Sequence, residues 1–349
     1  MRWPTPASAV ADAHELRADL ACGRAQAIVS RVIPVPLTIS SRARLVLHQK
    51  SAADESVRIA VDAARAAGHH LEVRVTWEPG DAAHLAREAV ALGFQRVIAG
   101  GGDGTVSEIA RVLAETPSAQ PVALSVLPLG TANDFARAAA IPESMTDALS
   151  LALVGDASPI DLVRVTAADG STSVFVNVAT GGFGTRLTAD TPEALKKALG
   201  GAAYLLTGLT RPDAIASQHA RMTGPDFVWE GHTLAIAVGN GRTAGGGVPM
   251  CPEALVDDGL LDLAVLPLPE GADLFILGAA FASQGTAAVA EGSQRTRAAW
   301  LEIASDEPIM LNLDGEPASS TAFRFEVWPA ALLAVLPTGS PLRLPLPPR

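Results

Sequence analysis

Lysine is nearly absent: 349 residues hold only Lys50, Lys196 and Lys197, so a glycine loop elsewhere in the chain cannot be a lysine-bearing P-loop. Two cysteines, Cys22 and Cys251, lie far apart in sequence and are too few for a disulfide framework, which points to a reducing compartment. Aromatic residues make up 4%, charged residues 18% and apolar residues 48%, a globular rather than a disordered composition. No apolar run reaches the roughly 20 residues that a membrane-spanning helix needs. Leu274–Ala290 comes nearest, but Ser283, Gln284, Gly285 and Thr286 interrupt it, and it reads as a core helix. Met1–Ser40 is broken by Arg2, Asp12, Glu15, Arg17, Asp19, Arg24 and Arg31, so it lacks the apolar core of a secretory signal.

The net charge of −11 is uneven. Residues 1–50 carry seven Lys or Arg against three acids, a surplus of four, which leaves −15 on the rest. An acidic body argues against nucleic acid as a partner, because phosphates need a basic face. It also lacks a generic attraction to anionic lipid.

A chain of this length suggests two domains. Leu45–Leu47, Leu71–Val75, Val97–Ala99 and Ala123–Leu127 are short Val- and Leu-rich runs with polar or glycine borders, as in a parallel sheet. Helical stretches alternate with them: Asp54–Ala67, ending at Gly68; a second after Gly80, capped by Asp81 and ending at Gly93; and a third after Gly104 with Val106, Ile109, Ala110 and Leu113 on one face. That rhythm predicts an α/β nucleotide-binding domain over 41–158, with ligand loops at the carboxyl ends of its strands. From about Pro159 it gives way to strands at Ile160–Val165, Val174–Ala179, Leu234–Val238, Leu261–Leu266, Ile309–Leu313 and Phe323–Trp328, with one helix at Pro192–Leu206. A β-rich domain over 159–330 follows. Residues 1–40 read as a poorly ordered extension, and the tail 331–349, apolar and proline-punctuated, as a return to the first domain.

Val97-Ile98-Ala99-Gly100-Gly101-Gly102-Asp103-Gly104-Thr105-Val106-Ser107-Glu108 runs a strand into a glycine loop and a helix. Without side chains in the way, loop amides can approach phosphate oxygens, and the helix start adds free N–H groups and a favourable dipole. The loop is not the dinucleotide fingerprint, since Thr105 occupies the third glycine position. Asp103 suggests Mg²⁺ handling, or else a helix cap. Leu127-Pro128-Leu129-Gly130-Thr131-Ala132-Asn133-Asp134-Phe135 repeats the design one strand later, so the two loops can wall one cleft.

On these two loops the chain resembles the diacylglycerol, ceramide and sphingosine kinase superfamily, and VRVTWEPGDA, ATGGFGTR, TPEALKKALG, GNGRTAGGG, CPEALVDDGLL and NLDGEP are similar to its bacterial YegS-type members. The resemblance runs from about Arg42 to Leu344. It implies an α/β nucleotide domain with a mainly parallel sheet, a β-sandwich-like second domain, and an active site in the cleft between them. It implies ATP contacts at Thr76, Gly102, Asp103, Gly104, Thr105, Val106, Ser107, Glu108 and Thr131, and a proton acceptor at Glu316. It also implies a Mg²⁺ loop through Leu255, Asp258 and Leu260, the leucines by backbone oxygen.

The expected reaction moves the γ-phosphate of ATP, with Asp103 near the metal, to a hydroxyl of a membrane glycerolipid such as phosphatidylglycerol or diacylglycerol. The expected setting is the cytoplasm, with transient contact at the inner face of the membrane and a homodimer left open. The competing readings are a soluble-metabolite kinase of the NAD kinase or phosphofructokinase type, against which LGTANDF and DGEP argue, and a nucleotide-binding regulator without catalysis. Two departures stand out: His48-Gln49-Lys50-Ser51 replaces an Asn-Gly-Lys-Ser stretch, and Asp257 stands where the family carries Asn. Arg186 and Arg242, beside glycine turns, are candidate phosphate or headgroup ligands or surface pairs.

Overall fold

The fold is taken from a computed structural model, which describes residues 42–116, 120–182, 217–268 and 292–345. The 1–40 extension with Cys22, the Pro192–Leu206 helix, Arg186 and the Leu274–Ala290 stretch lie outside the described residues.

The first part alternates strand and helix: β1 (Ala43–Leu47), α1 (Glu55–Ala66), β2 (Leu71–Val75), α2 (Asp81–Ala91), β3 (Arg96–Gly101), α3 (Asp103–Glu115), β4 (Ala123–Pro128), then α4 (Asp134–Ala138) and α5 (Met145–Val154). β1 is buried at every position, as is β3, because helices cover both faces of a sheet built this way. β1 pairs in parallel with β2 and β3, and β3 in parallel with β4. α1 is capped by Asp54, whose carboxylate accepts the Ser56 N–H at 2.9 Å. Asp81 is not the cap of α2. Gly80, at φ 92°, takes that position, and the Asp81 carboxylate accepts the N–H groups of Trp77 (2.6 Å) and Glu78 (3.0 Å), closing the preceding turn. α3 begins at Asp103, one residue before Gly104, so that glycine lies inside its first turn.

Two fully buried arginines fasten the amino ends of these strands. Arg44 pairs with Glu72 (2.7 Å) and Glu88 (2.6 Å) and lies over the Phe94 ring. Arg96 donates to the carbonyls of Ala152 (2.9 Å) and Gly155 (2.7 Å) at the end of α5. The glycine loops emerge at the opposite, carboxyl ends of β3 and β4.

The second part is β-rich: β5 (Ala157–Ala167), β6 (Thr172–Phe175), β7 (Val178–Gly182), β8 (Gln218–Gly224), β9 (Phe227–Gly239), β10 (Thr243–Ala244), β11 (Val248–Pro249), β12 (Leu261–Pro267), β13 (Gln294–Ala298), β14 (Trp300–Leu313) and β15 (Glu316–Val335). Its own core gathers Val163, Phe175, Met222, Ile236, Leu301, Phe323 and Phe325. The predicted Val174–Ala179 strand is two strands, parted at Val176 and Asn177 because their N–H groups turn toward Asp314. β14 and β15 are far longer than their predicted apolar cores, and β8 and β13 carry no apolar run that would announce them.

The two parts share one hydrogen-bonded sheet. β15 pairs with β14 and β5 over most of its length, then with β4 at Leu333 and Ala334. The transfer needs a bend, and the β5–β15 register shifts between Trp328 and Leu332. Inside that interval Ala330 adopts φ 49°, held by its N–H donating to Asp161 at 2.8 Å. Leu336 and Leu342 then enter the core of the first part, and the Ser340 hydroxyl reaches the Ala139 carbonyl at 2.8 Å.

Candidate active site

The two glycine loops meet backbone to backbone. A Cβ on Gly130 would stand 2.4 Å from the Gly102 Cα, so no larger residue fits there, and the Leu129 N–H donates to the Gly101 carbonyl at 2.9 Å. Asn133 folds its amide back on Gly130, accepting from its N–H and donating to its carbonyl, both at 2.8 Å.

A cavity of about 590 Å³ opens over this junction, within the range of small-molecule sites. Gly102, Gly104, Thr105, Ser107, Glu108, Thr76, Thr131 and Glu316 all line it, although they come from opposite ends of the chain. Thr76 is buried and its hydroxyl accepts the Gln49 N–H at 3.3 Å, which joins the His48–Ser51 turn to the same wall. His48 caps that turn, its Nδ1 accepting the Lys50 N–H at 3.2 Å.

Two of the predicted nucleotide contacts face elsewhere. Val106 is packed in the core. Asp103 does not line the cavity: its two carboxylate oxygens accept the N–H groups of Asp134 and Phe135, each at 3.0 Å, and so bind the start of α4. Glu108 does the same for α2, accepting the Ala83 N–H at 3.0 Å, while still bordering the cavity. α3 thus holds both neighbouring helices by carboxylates placed five residues apart.

Glu316 is exposed and opens β15 directly after the Asp314-Gly315 turn. Asp314 and Gly315 take φ 50° and 105°, the left-handed pair of a tight hairpin, with Leu313 and Glu316 in register across it. Asp314 contributes more than a turn. Its carboxylate accepts N–H groups from Val176 (2.8 Å), Asn177 (3.1 Å) and Val178 (2.9 Å), and the Ser107 hydroxyl donates to it from α3. Burial nevertheless outweighs those donors and pushes its carboxyl up to about 6.

Asp134, another residue that motif reading left without a role, is buried in α4, and its carboxylate accepts the N–H groups of Gly246 (2.9 Å) and Gly247 (2.6 Å). Burial raises its carboxyl above the ordinary range, with Asp103 adding to the effect against those two N–H groups. The Thr243 hydroxyl donates to the Asp134 carbonyl at 3.2 Å, and Asn177 donates to the Thr243 carbonyl at 2.9 Å. A polar chain therefore runs from Asp103 through Asp134, Thr243 and Asn177 to Asp314, two residues before Glu316. Arg242 donates to the Ala254 carbonyl at 2.9 Å and holds a loop, with no carboxylate paired to it among the described residues.

The cavity is acidic. Glu78, Glu108, Asp314 and Glu316 line it, against Lys50 and His48 as the basic side chains.

Leu255, Asp258 and Leu260 stand apart from that cavity. One Asp258 oxygen accepts the Leu260 N–H at 3.0 Å and the other pairs with Arg297. Asp257 accepts from Arg343 Nε at 2.9 Å and from the Leu344 N–H at 2.8 Å.

Residues 42–165 match the family model of the diacylglycerol kinase catalytic domain, and 177–336 match that of the YegS C-terminal NAD kinase beta sandwich-like domain. A Pseudomonas aeruginosa (strain UCBPP-PA14) protein named "Probable lipid kinase YegS-like" is 52% identical over 308 residues, spanning 87% of this chain and 97% of that one. The chain belongs to the YegS-type lipid kinases of the diacylglycerol kinase family. A Xanthomonas campestris pv. campestris (strain 8004) protein of the same name is 50% identical, over 86% of this chain and 97% of its own. Among solved structures, a diacylglycerol kinase from Bacillus anthracis str. Sterne aligns with a TM-score of 0.64 over 87% of this chain and all of its own, at 20% identity, a likeness of fold.

The resemblance read from the two glycine loops is therefore borne out: the protein is a lipid kinase, with ATP as its phosphoryl donor. Among the described residues, no helix is long and apolar enough to cross a membrane.

Proposed function

We propose that this kinase transfers the γ-phosphoryl group of Mg²⁺-ATP to a primary hydroxyl of a membrane glycerolipid, of the diacylglycerol or phosphatidylglycerol kind, in the cavity over the two glycine loops. The observation that carries the reading is the convergence on one cavity of the two glycine loops, through Gly102, Gly104, Thr105, Gly130 and Thr131, with an exposed carboxylate, Glu316. Glu316 accepts the proton of the lipid hydroxyl; the hydroxyl oxygen bonds to the γ-phosphorus as the bond to the β,γ-bridging oxygen breaks, and ADP leaves.

The amides at the start of α3 meet phosphate oxygens, and Thr76 and Thr131 offer hydroxyls on either wall. Metal carried in with ATP supplies the positive charge that Lys50 alone cannot. Asp103 serves by position. It fixes the start of α4, and hence the second loop, rather than touching the nucleotide. Lipid presented at a bilayer reaches the open side of the cavity through transient contact of the protein with the membrane.

Incubation with labelled ATP, Mg²⁺ and mixed micelles of several lipids, beside NAD and fructose 6-phosphate, tests this. Label in a glycerolipid is the expected result. Label confined to a soluble metabolite would overturn it.

A further inference from the structure

We infer that Arg297 is a built-in cation for the Leu255–Leu260 loop, standing in for the divalent ion that the family resemblance implies there. Its guanidinium spans two aspartates, pairing through Nη2 with Asp258 and through Nε with Asp262 at 3.2 Å. Both carboxylates are largely shielded, at 8% and 12% side-chain exposure. Arg297 is not a wandering surface side chain. It lies on β13 directly across from Asp262 on β12, so strand pairing sets its Cα opposite the acids.

The would-be ligands fit this cation better than a metal. Asp258 is the only charged member of the set, and both its oxygens are engaged, one by the Leu260 N–H and one by the guanidinium. A dication at that carboxylate would face the fixed positive charge of Arg297. The neighbouring carboxylates are engaged too: Asp161 by the N–H groups of Gly259 and Ala330, both at 2.8 Å, and Asp257 by Arg343 and the Leu344 N–H. A planar guanidinium satisfies two carboxylates at once, which a hard ion does only by recruiting several more oxygens. Asp257 belongs to the same arrangement: its charge is met by Arg343 and adds nothing to a metal cage.

The test uses the full chain, stripped with EDTA and free of nucleotide, with Mn²⁺ alone as an electron paramagnetic resonance probe and Mg²⁺ in thermal melts. The wild type is expected to leave Mn²⁺ free and to melt at one temperature with or without Mg²⁺. Arg297→Met, which keeps the length and removes the charge, is expected to bind Mn²⁺ and to melt lower in EDTA than in Mg²⁺. Adding Asp258→Asn is expected to abolish both gains. Arg297→Lys retains a cation and is expected to stay indifferent to metal, which keeps the inference open to test if Arg297→Met does not fold. Stoichiometric Mn²⁺ binding by the stripped wild type, lost in Asp258→Asn, would overturn it, as would a folded Arg297→Met that gains no metal response.

Discussion

Acids in two regions of this molecule are handled in opposite ways. Around the cavity, carboxylates are met by backbone amides: Asp103 by Asp134 and Phe135, Glu108 by Ala83, Asp134 by Gly246 and Gly247, Asp314 by Val176–Val178. Around residues 257–262 they are met by arginines, Arg297 and Arg343. Amides orient a carboxylate without cancelling its charge, so the cavity stays negative, and under the proposed function the nucleotide phosphates would enter it with a cation. Arginines offset most of the charge there, one of them serving two aspartates at once. The same residue type thus serves alignment in one place and cohesion in the other.

The largest effect should come from Glu316, the exposed cavity carboxylate that opens β15 beside the Asp314-Gly315 turn. Glu316→Gln keeps the shape and is expected to lower turnover by roughly 10²- to 10⁴-fold with ATP affinity little changed. Steady-state kinetics with a separate nucleotide-binding measurement checks it; lost affinity at normal turnover would make Glu316 a binding residue.

Asp314 comes next and separates charge from position. Its carboxyl is raised from 3.8 to about 6, so the folded state favours the protonated form. Its contribution to stability is then full below about pH 3.8 and is lost as pH rises through about 6. Activity should run the other way, because the ionised carboxylate is what gathers the three N–H groups and sets the Glu316 turn. The wild type should therefore lose kcat/KM below about pH 6 while its melting temperature rises relative to that of Asp314→Asn, and Asp314→Asn should lower kcat. Melts and rates across the same buffers decide it.

Asp103→Asn leaves one of two helix-start N–H groups facing an amide donor. A stability loss of about 1–2 kcal/mol is expected, with a raised KM for ATP as the second loop loosens. Denaturant melts and kinetics check both; normal stability with abolished turnover would instead place Asp103 at the nucleotide metal. Asp257→Asn should matter least, costing about 0–1 kcal/mol through the lost Arg343 pair and leaving turnover alone.

The sequence told most where contacts are local. β1 to β4 and their helices are short apolar runs between glycines, and both glycine loops carry their chemistry within a dozen residues. β8 and β13, reading QHARMTG and QRTRA, were silent because their partners and not their own side chains make them strands. β15 carries Pro317 and Pro329, and only its Phe323–Trp328 stretch reads as a strand in the sequence.

Side-chain direction was the larger gap. Asp103 sits among candidate phosphate ligands, yet it turns to a helix 31 residues away, and Arg297 meets Asp262 across 35. Asp314 left one readable trace: an Asp-Gly pair between two strands signals a tight turn, whose buried carboxylate needs donors.

The proposed contrast between a cavity that works with a divalent ion and a loop held by arginines comes down to one titration. EDTA-treated protein is given ATP and glycerolipid in mixed micelles, Mg²⁺ is restored stepwise, and label transfer is followed beside the nucleotide-free melting temperature. Turnover should be absent in EDTA and return with Mg²⁺ while the melting temperature stays flat. Full turnover in EDTA, or a melting temperature that climbs with Mg²⁺, would contradict the account.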